Sequence, residues 1–223
     1  MKSKIKSTKS IPWDTVLKLE KLQIDPQILK MHSERINKVF NNAPEEIRNQ
    51  QIHNIVVRDN LFNKAMDIIT TCYEFDVNDE DVKAFEEAVI KNFGEEKRDV
   101  CHEIAIKLVK KTLIFQDLQE KLGIVMEDEE IKKVLDDYYQ ATNKPIRGIL
   151  EDKEKYQGAK STLLEEKIIA TIIQKFPRDL TVLEANMKKA YEEHQKKTAT
   201  NKVEPKTAKV EPDSTVKTKS KRK

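Results

Sequence analysis

Little in this chain favours strands, tight turns or chemistry. Its 223 residues include four glycines and seven prolines, one tryptophan and two cysteines, with aromatics at 6%. So few glycines exclude a fold rich in tight turns and leave no Gly-rich phosphate loop. There is no nucleophile elbow and no Cys/His pairing of the nucleophilic kind. No apolar run approaches the roughly 18 residues needed to span a bilayer, and the N-terminus has lysines but no apolar signal-like segment. The expectation is a cytoplasmic chain with no membrane partner. Cys72 and Cys101 lie 29 residues apart, each within a helical pattern, and read as two small buried thiols in a reducing compartment.

What is abundant is charge, at 36% of residues, with a net +3 that hides an uneven layout. Residues 1–9 carry four lysines and no acid. Residues 198–223 carry seven lysines and Arg222 against Glu204, Glu211 and Asp213. The stretch 10–197 is left at −6. Three regions follow: a disordered basic arm over 1–10, an all-helical domain over 11–197, and a disordered basic tail over 198–223 that lacks aromatics and leucines.

Two metal-like patterns fail on inspection. His102-Glu103 begins the zinc-protease motif, but the second histidine position holds Ile106. Asp76-x-Asn78-x-Glu80 with Glu87 brushes a calcium loop, yet Asp81 stands where glycine is required and Lys83 where an apolar residue is. The acids fit an N-cap and first-turn charges better. No metal, no cofactor and no enzymatic activity are expected.

The chain is organised around Ile104–Leu122, IAIKLVKKTLIFQDLQEKL, whose apolar residues recur at helical spacing and cover more than one face. Gly123 follows where a left-handed cap would sit. Before it, Trp13, Val16, Leu17 and Leu22 mark a short helix after Pro12, and Asp25-Pro26 opens a helix through Phe40. Pro44-Glu45-Glu46 opens one that runs to about Tyr73, and Phe75–Val82 turns into a capped helix that Gly94 ends. After it come a short amphipathic helix from Met126, a loop at Asn143–Pro145, one or two turns to Leu150, and a helix from Lys153 to Phe176 stopped by Pro177. A weaker helix from Thr181 fades near Lys197. No strand is expected. Val77–Lys83 matches Met126–Lys132 at an offset of 49, which suggests a helical hairpin used twice.

From about Ile55 to Phe176 the chain resembles the C-terminal chaperone module of trigger factor. The likeness lies in AIKLVKKTLIFQDLQEKLGI, then MEDEEIKKVLDDYY, the Asn143–Pro145 loop and Leu163-Leu164-Glu165-Glu166-Lys167-Ile168-Ile169. Through Ile55–Phe62, Leu135–Asn143 and Leu163–Glu166 it also resembles the small stand-alone trigger-factor-like proteins of mycoplasmas. The resemblance implies an all-α body whose helical arms form a cradle, a fold shared with the peptide-binding part of the periplasmic chaperone SurA. It implies an ATP-independent holdase for unfolded or nascent polypeptides. The Gly-Phe-Arg ribosome-docking signature and the prolyl isomerase domain of trigger factor are missing, and residues 1–54 and 177–223 have no counterpart.

Flexible aromatic and methionine side chains suit a promiscuous binding surface. The expected client contacts are Phe62, Met66, Ile69, Phe85, Leu113, Phe115 and Tyr138. One side of the Ile104–Leu122 helix should pack on the Leu163–Ile173 helix and on the end of the Val56–Cys72 helix, with Leu113 and Phe115 left for the cradle. Two alternatives stand beside the holdase. One is an assembly or scaffold protein for a single partner. The other is a ribosome- or RNA-associated factor acting through the basic tails, which have lysines for phosphates but no aromatics to stack on bases.

Overall fold

Helices dominate because the caps and breakers of the sequence act where they stand. The computed structural model describes residues 1–94, 98–142 and 146–189. It clusters into two units, Met1–Leu183 and Glu184–Lys223; only residues up to 189 of the second are described, and they are helical. The Asn143–Pro145 loop, the fading of the last helix near Lys197 and the basic tail over 198–223 lie outside the described residues.

Helix α1 (Pro26–Val39) starts with Asp25 accepting from the Gln27 N–H at 2.7 Å and Pro26 in its first turn. Helix α2 (Glu45–Thr70) places Glu45 and Glu46 at its positive end. Helix α3 (Asp79–Phe93) is capped by the Asn78 side chain and stopped by Gly94 at φ 91°. Helix α4 (Arg98–Lys121) ends in a Schellman turn: Ile124 N–H donates to Gln119 O and Gly123 N–H to Glu120 O, with Gly123 at φ 61°. Helix α5 spans Asp128–Thr142 and the single turn α6 spans Arg147–Leu150. Helix α7 (Lys153–Lys175) opens on Asp152, whose carboxylate accepts from the Glu154 and Lys155 N–H groups.

Four short strands depart from the all-helical expectation. Residues 1–10 are not a free arm: β1 (Lys4–Thr8) pairs antiparallel with β3 (Tyr73–Asp76), with Ile5 opposite Phe75. The sequence alternates Lys2, Lys4 and Lys6 with Ser3, Ile5 and Ser7. Ser3 is buried and Ile5 packs on the core, so the segment satisfies its backbone against the edge that Tyr73–Asp76 presents after α2. Asp81 clamps the chain start, accepting from Ser3 N–H, Ser3 Oγ and Lys2 N–H, and Lys2 also pairs with Glu80.

The short helix expected over Trp13–Leu22 is absent too. Leu17 and Leu19 are buried while Lys18 and Glu20 face out, the alternation of a strand. Accordingly β2 (Leu17–Lys18) pairs in parallel with β4 (Arg178–Asp179), which Pro177 frees by ending α7. Trp13 packs on Phe176 at 5.0 Å between ring centres.

The main core joins Leu61, Ala65 and Ile69 of α2, Ile114, Phe115 and Leu118 of α4, and Ile168, Ile172 and Ile173 of α7. A smaller cluster joins Val82 of α3 to Ala105, Val109 and Leu113 of α4. Helix α4 belongs to both, and that accounts for its broad apolar surface. Both cysteines are free and buried.

Candidate functional site

Where α4 runs beside α3, small residues let the two helices approach closely. Cys101, Ala105 and Val109 recur at i, i+4 and i+8 and are fully buried. Ile104 and Leu108 stand one position earlier, about 100° round the helix, and are only half-covered. Opposite them α2 presents Phe62 and Met66, an i, i+4 pair that is also half-covered. The result is a groove of about 650 Å³ with these four side chains as its floor. Its rim carries Lys107, Lys110 and Lys111 on the α4 side and Asn63, Asp67 and Thr70 on the α2 side.

Two further hollows share lining residues with the groove. One of about 320 Å³ on the other flank of α4 shares Leu108 and Lys111, and adds Phe85, Phe115 and Leu164. The other, about 510 Å³ between α2 and the start of α1, shares Phe62 and Asn63 and adds Ile24, Ile28 and Val56. Lys111 stands at the join of the first two. Its ammonium lies 4.9 Å from the Phe115 ring centre and 5.8 Å from that of Phe62, and it pairs with Glu165 of α7. The two rings meet edge to face at 5.9 Å.

Charged contacts outside the groove fix the elements around it. Lys160 Nζ and Tyr156 Oη donate to Asp128, and Lys167 Nζ donates to Glu130 and to the Val125 carbonyl. The Lys160 ammonium, then the Tyr156 hydroxyl, hold Asp128 below the usual carboxylate range; Lys167 does the same for Glu130, and the Ser3 hydroxyl and N–H for Asp81. Burial and the Asp117 carboxylate push the Tyr73 hydroxyl well up.

Among the described residues no three His, Cys, Asp or Glu side chains are grouped to hold a metal ion, and no helix is long and apolar enough to cross a membrane. His102 pairs with Glu86 at 2.9 Å, and His32 lies 3.2 Å from Asp59.

No family model matches the chain. It is 33% identical over 177 residues to the Mycoplasma pneumoniae homologue of MG377, covering 79% of this chain and 92% of that protein. It is 33% identical over 180 residues to MG377 of Mycoplasma genitalium, with the same coverage. The chain belongs to the MG377 family. Both relatives are described as uncharacterised. The crystal structure of the hypothetical Mycoplasma protein MPN555 matches with a TM-score of 0.72 at 32% identity, over 80% of this chain and 91% of that one.

In this MG377-family protein the expected contact residues divide. Phe62 and Met66 form the floor of the α2–α4 groove, and Phe85 lines the hollow beyond Lys111. Tyr138, 37% exposed, sits apart, in a fourth hollow of about 710 Å³ with Met31 and Val39 of α1 and Phe40 at its C-cap. Three placements need correction. Ile69 is fully buried, packed between α4 and α7. Leu113 (7% exposed) is covered by α3, which folds back along α4, and Phe115 (8% exposed) belongs to the main core, with one edge at the smaller hollow. Neither is a spare face. Sequence reasoning missed Ile104, Leu108 and the three lysines. The signal was the Cys101, Ala105, Val109 ladder of small residues, which fixes the buried line and so places Ile104 and Leu108 beside it.

Proposed function

We propose that this MG377-family protein is an ATP-independent, chaperone-like holdase that buries apolar segments of unfolded or partly folded polypeptides in the α2–α4 groove. The observation that carries the reading is the pairing of Phe62 and Met66 with Ile104 and Leu108, four half-covered apolar side chains held on two long helices backed by a packed core. Burying one apolar side chain of a client contributes about 1.5–3 kcal/mol. Several must be buried together to offset the entropy lost on association. Hollows that adjoin at shared residues suit an extended client, and rim lysines with Asn63 and Asp67 keep the empty groove hydrated. The likeness of Ile104–Leu122 and Leu163–Ile169 to the trigger factor module, with its cradle of arms, belongs to the same proposal. The absence of an enzymatic role does too.

The basic-arm reading of the N-terminus loses weight, because Lys2 and Lys4 pair with Glu80 and Asp76 of the protein itself. The deciding experiment is suppression of aggregation of a chemically unfolded model protein at a stoichiometric ratio, without nucleotide. Suppression that falls at least severalfold in F62S/M66S, with a parent-like circular dichroism spectrum and the assay run well below the variant's lowered melting temperature, supports the proposal. No suppression by the parent, or equal suppression by the variant, refutes it. A pull-down yielding one stoichiometric partner that still binds F62S/M66S favours a dedicated assembly protein.

A further inference from the structure

The groove has a sign as well as an apolar floor. Lys107, Lys110 and Lys111 occupy positions i, i+3 and i+4 of α4 and so share a face, while the α2 wall contributes the single carboxylate of Asp67. This is a positive strip on a body whose residues 10–197 sum to −6. Other lysines of α4 and α7 face carboxylates: Lys121 pairs with Asp117, Lys160 with Asp128 and Lys167 with Glu130. Lys107 makes no ion pair among the described residues, and Lys110 meets only the Phe75 ring at 5.6 Å. Lys111 is engaged by Glu165, but both side chains are partly open to solvent, at 29% and 49% exposure. Such a contact is cheaply exchanged for another carboxylate.

We infer that the α2–α4 groove selects apolar polypeptide segments flanked by carboxylates, and that a bound carboxylate takes Lys111 over from Glu165. The inference rests on the groove reading above and adds the chemistry of its occupant. The three lysines span about 6 Å of helix axis, from the 1.5 Å rise per residue. Acidic residues within one turn of each other in the client therefore face them together while its apolar residues reach Phe62, Met66, Ile104 and Leu108. Release of Lys111 from Glu165 also loosens the boundary it forms between the groove and the Phe85–Leu164 hollow, so acidic clients gain access to both. A polypeptide fits better than RNA, because phosphates would use the lysines and leave the apolar floor unused.

The test uses the full chain and three synthetic peptides that share one Leu/Phe-rich centre and carry Glu, Gln or Lys pairs at its flanks. Binding is read by fluorescence anisotropy. The Glu-flanked peptide is expected to bind about five- to tenfold tighter than the Gln-flanked one at low salt, the sum of two or three exposed ion pairs. The preference should fade as salt approaches about 1 M, where screening falls to about 3 Å. K107E/K110E should reverse the order of the Glu and Lys peptides, and E165Q should tighten the Glu peptide alone. Equal binding of all three peptides that still falls in F62S/M66S overturns the charge selection and leaves the groove. Tightest binding of the Lys-flanked peptide overturns it as well. Failure of every peptide to bind, or an RNA oligonucleotide that displaces them and binds F62S/M66S undiminished, removes the groove reading and this inference with it.

Discussion

Phe115 is the residue whose truncation best separates a core role from a client-binding one. It is 8% exposed, packed into the cluster that joins α2, α4 and α7, edge-on to Phe62 and beneath the Lys111 ammonium. Truncating a buried phenylalanine to alanine costs about 3–5 kcal/mol through lost transfer energy and a residual cavity. A domain of this size has roughly 5–15 kcal/mol in all, so F115A should remain folded but with a much lower urea midpoint. Phe62 is only half-covered, so F62A should cost about half as much. The edge-to-face geometry at 5.9 Å predicts a coupling of about 0.5–1.5 kcal/mol between the two in a double-mutant cycle. Urea unfolding followed by circular dichroism measures all four corners, with the slope m held constant as the check on two-state behaviour. A cost below about 1 kcal/mol for F115A would refute its placement in the core, and additivity of the two changes would refute the ring contact with Phe62. Any loss of client binding in F115A must therefore be read against its stability, and loss in F62S against a cost about half as large.

Three further outcomes follow from particular contacts. The depressed carboxyl of Asp81 contributes stability that is present above its unfolded value near 4 and lost as pH falls below that through the folded value, so β1 should detach in acid and not in base; trypsin cleavage after Lys2, Lys4 and Lys6 at neutral pH should rise in D81N to several times the parent rate. Tyr73, raised by burial and Asp117, contributes stability present below pH 10 and lost as pH rises above it; absorbance titration at 295 nm should show Tyr73 lagging together with Tyr156, which desolvation and its hydrogen bond to Asp128 also raise, and Y73F should remove its share of the lag. Gly123 sits at φ 61° with open space where a Cβ would stand, so G123A should cost about 1–2 kcal/mol from backbone strain alone, while G158A in the middle of α7, also with open space, should gain about 0.5–1 kcal/mol; thermal melts of the two variants should move in opposite directions.

The helices were legible because their ends are written locally. Asp25-Pro26, Asn78, Gly94, Gly123 and Pro177 each act within one turn of where they stand, and no distant partner is needed to interpret them. The strands were not, because each has its partner far along the chain. Ile5 faces Phe75, and Leu17 faces Arg178. The alternation was present in both stretches, Lys-Ser-Lys-Ile-Lys-Ser and Leu-Lys-Leu-Glu, but it spans few residues and carries one or two apolar groups. A strand of that length gains its stability from the edge it meets, not from its own pattern. The candidate site was half legible for a related reason. The breadth of the apolar surface on α4 was plain, but which part stays uncovered depends on where α3 lands. It lands on Leu113, leaving the Ile104 and Leu108 edge open instead.

The offset of 49 between the two acidic helix starts has a structural counterpart that goes beyond composition. Asp81 and Glu130 are equivalent under that offset, and each is a carboxylate that ties its helix to another segment: Asp81 to Ser3 and Lys2, Glu130 to Lys167 of α7. Val82 and Ile131 are equivalent too, and both are buried. Each start thus combines an acid that seizes a neighbour with an apolar plug one residue later. Acidic first turns that merely favour the helix dipole would explain the first half of that match but not the second. Beyond the anchor the copies diverge. Helix α3 continues along α4 and buries Val89 as well, whereas α5 buries Leu135 and leaves Val134, Tyr138 and Tyr139 exposed. One copy has become a wall of the core and the other keeps apolar surface open. If the α2–α4 groove holds one part of a long client, α5 is the element with uncovered aromatic side chains to meet another part.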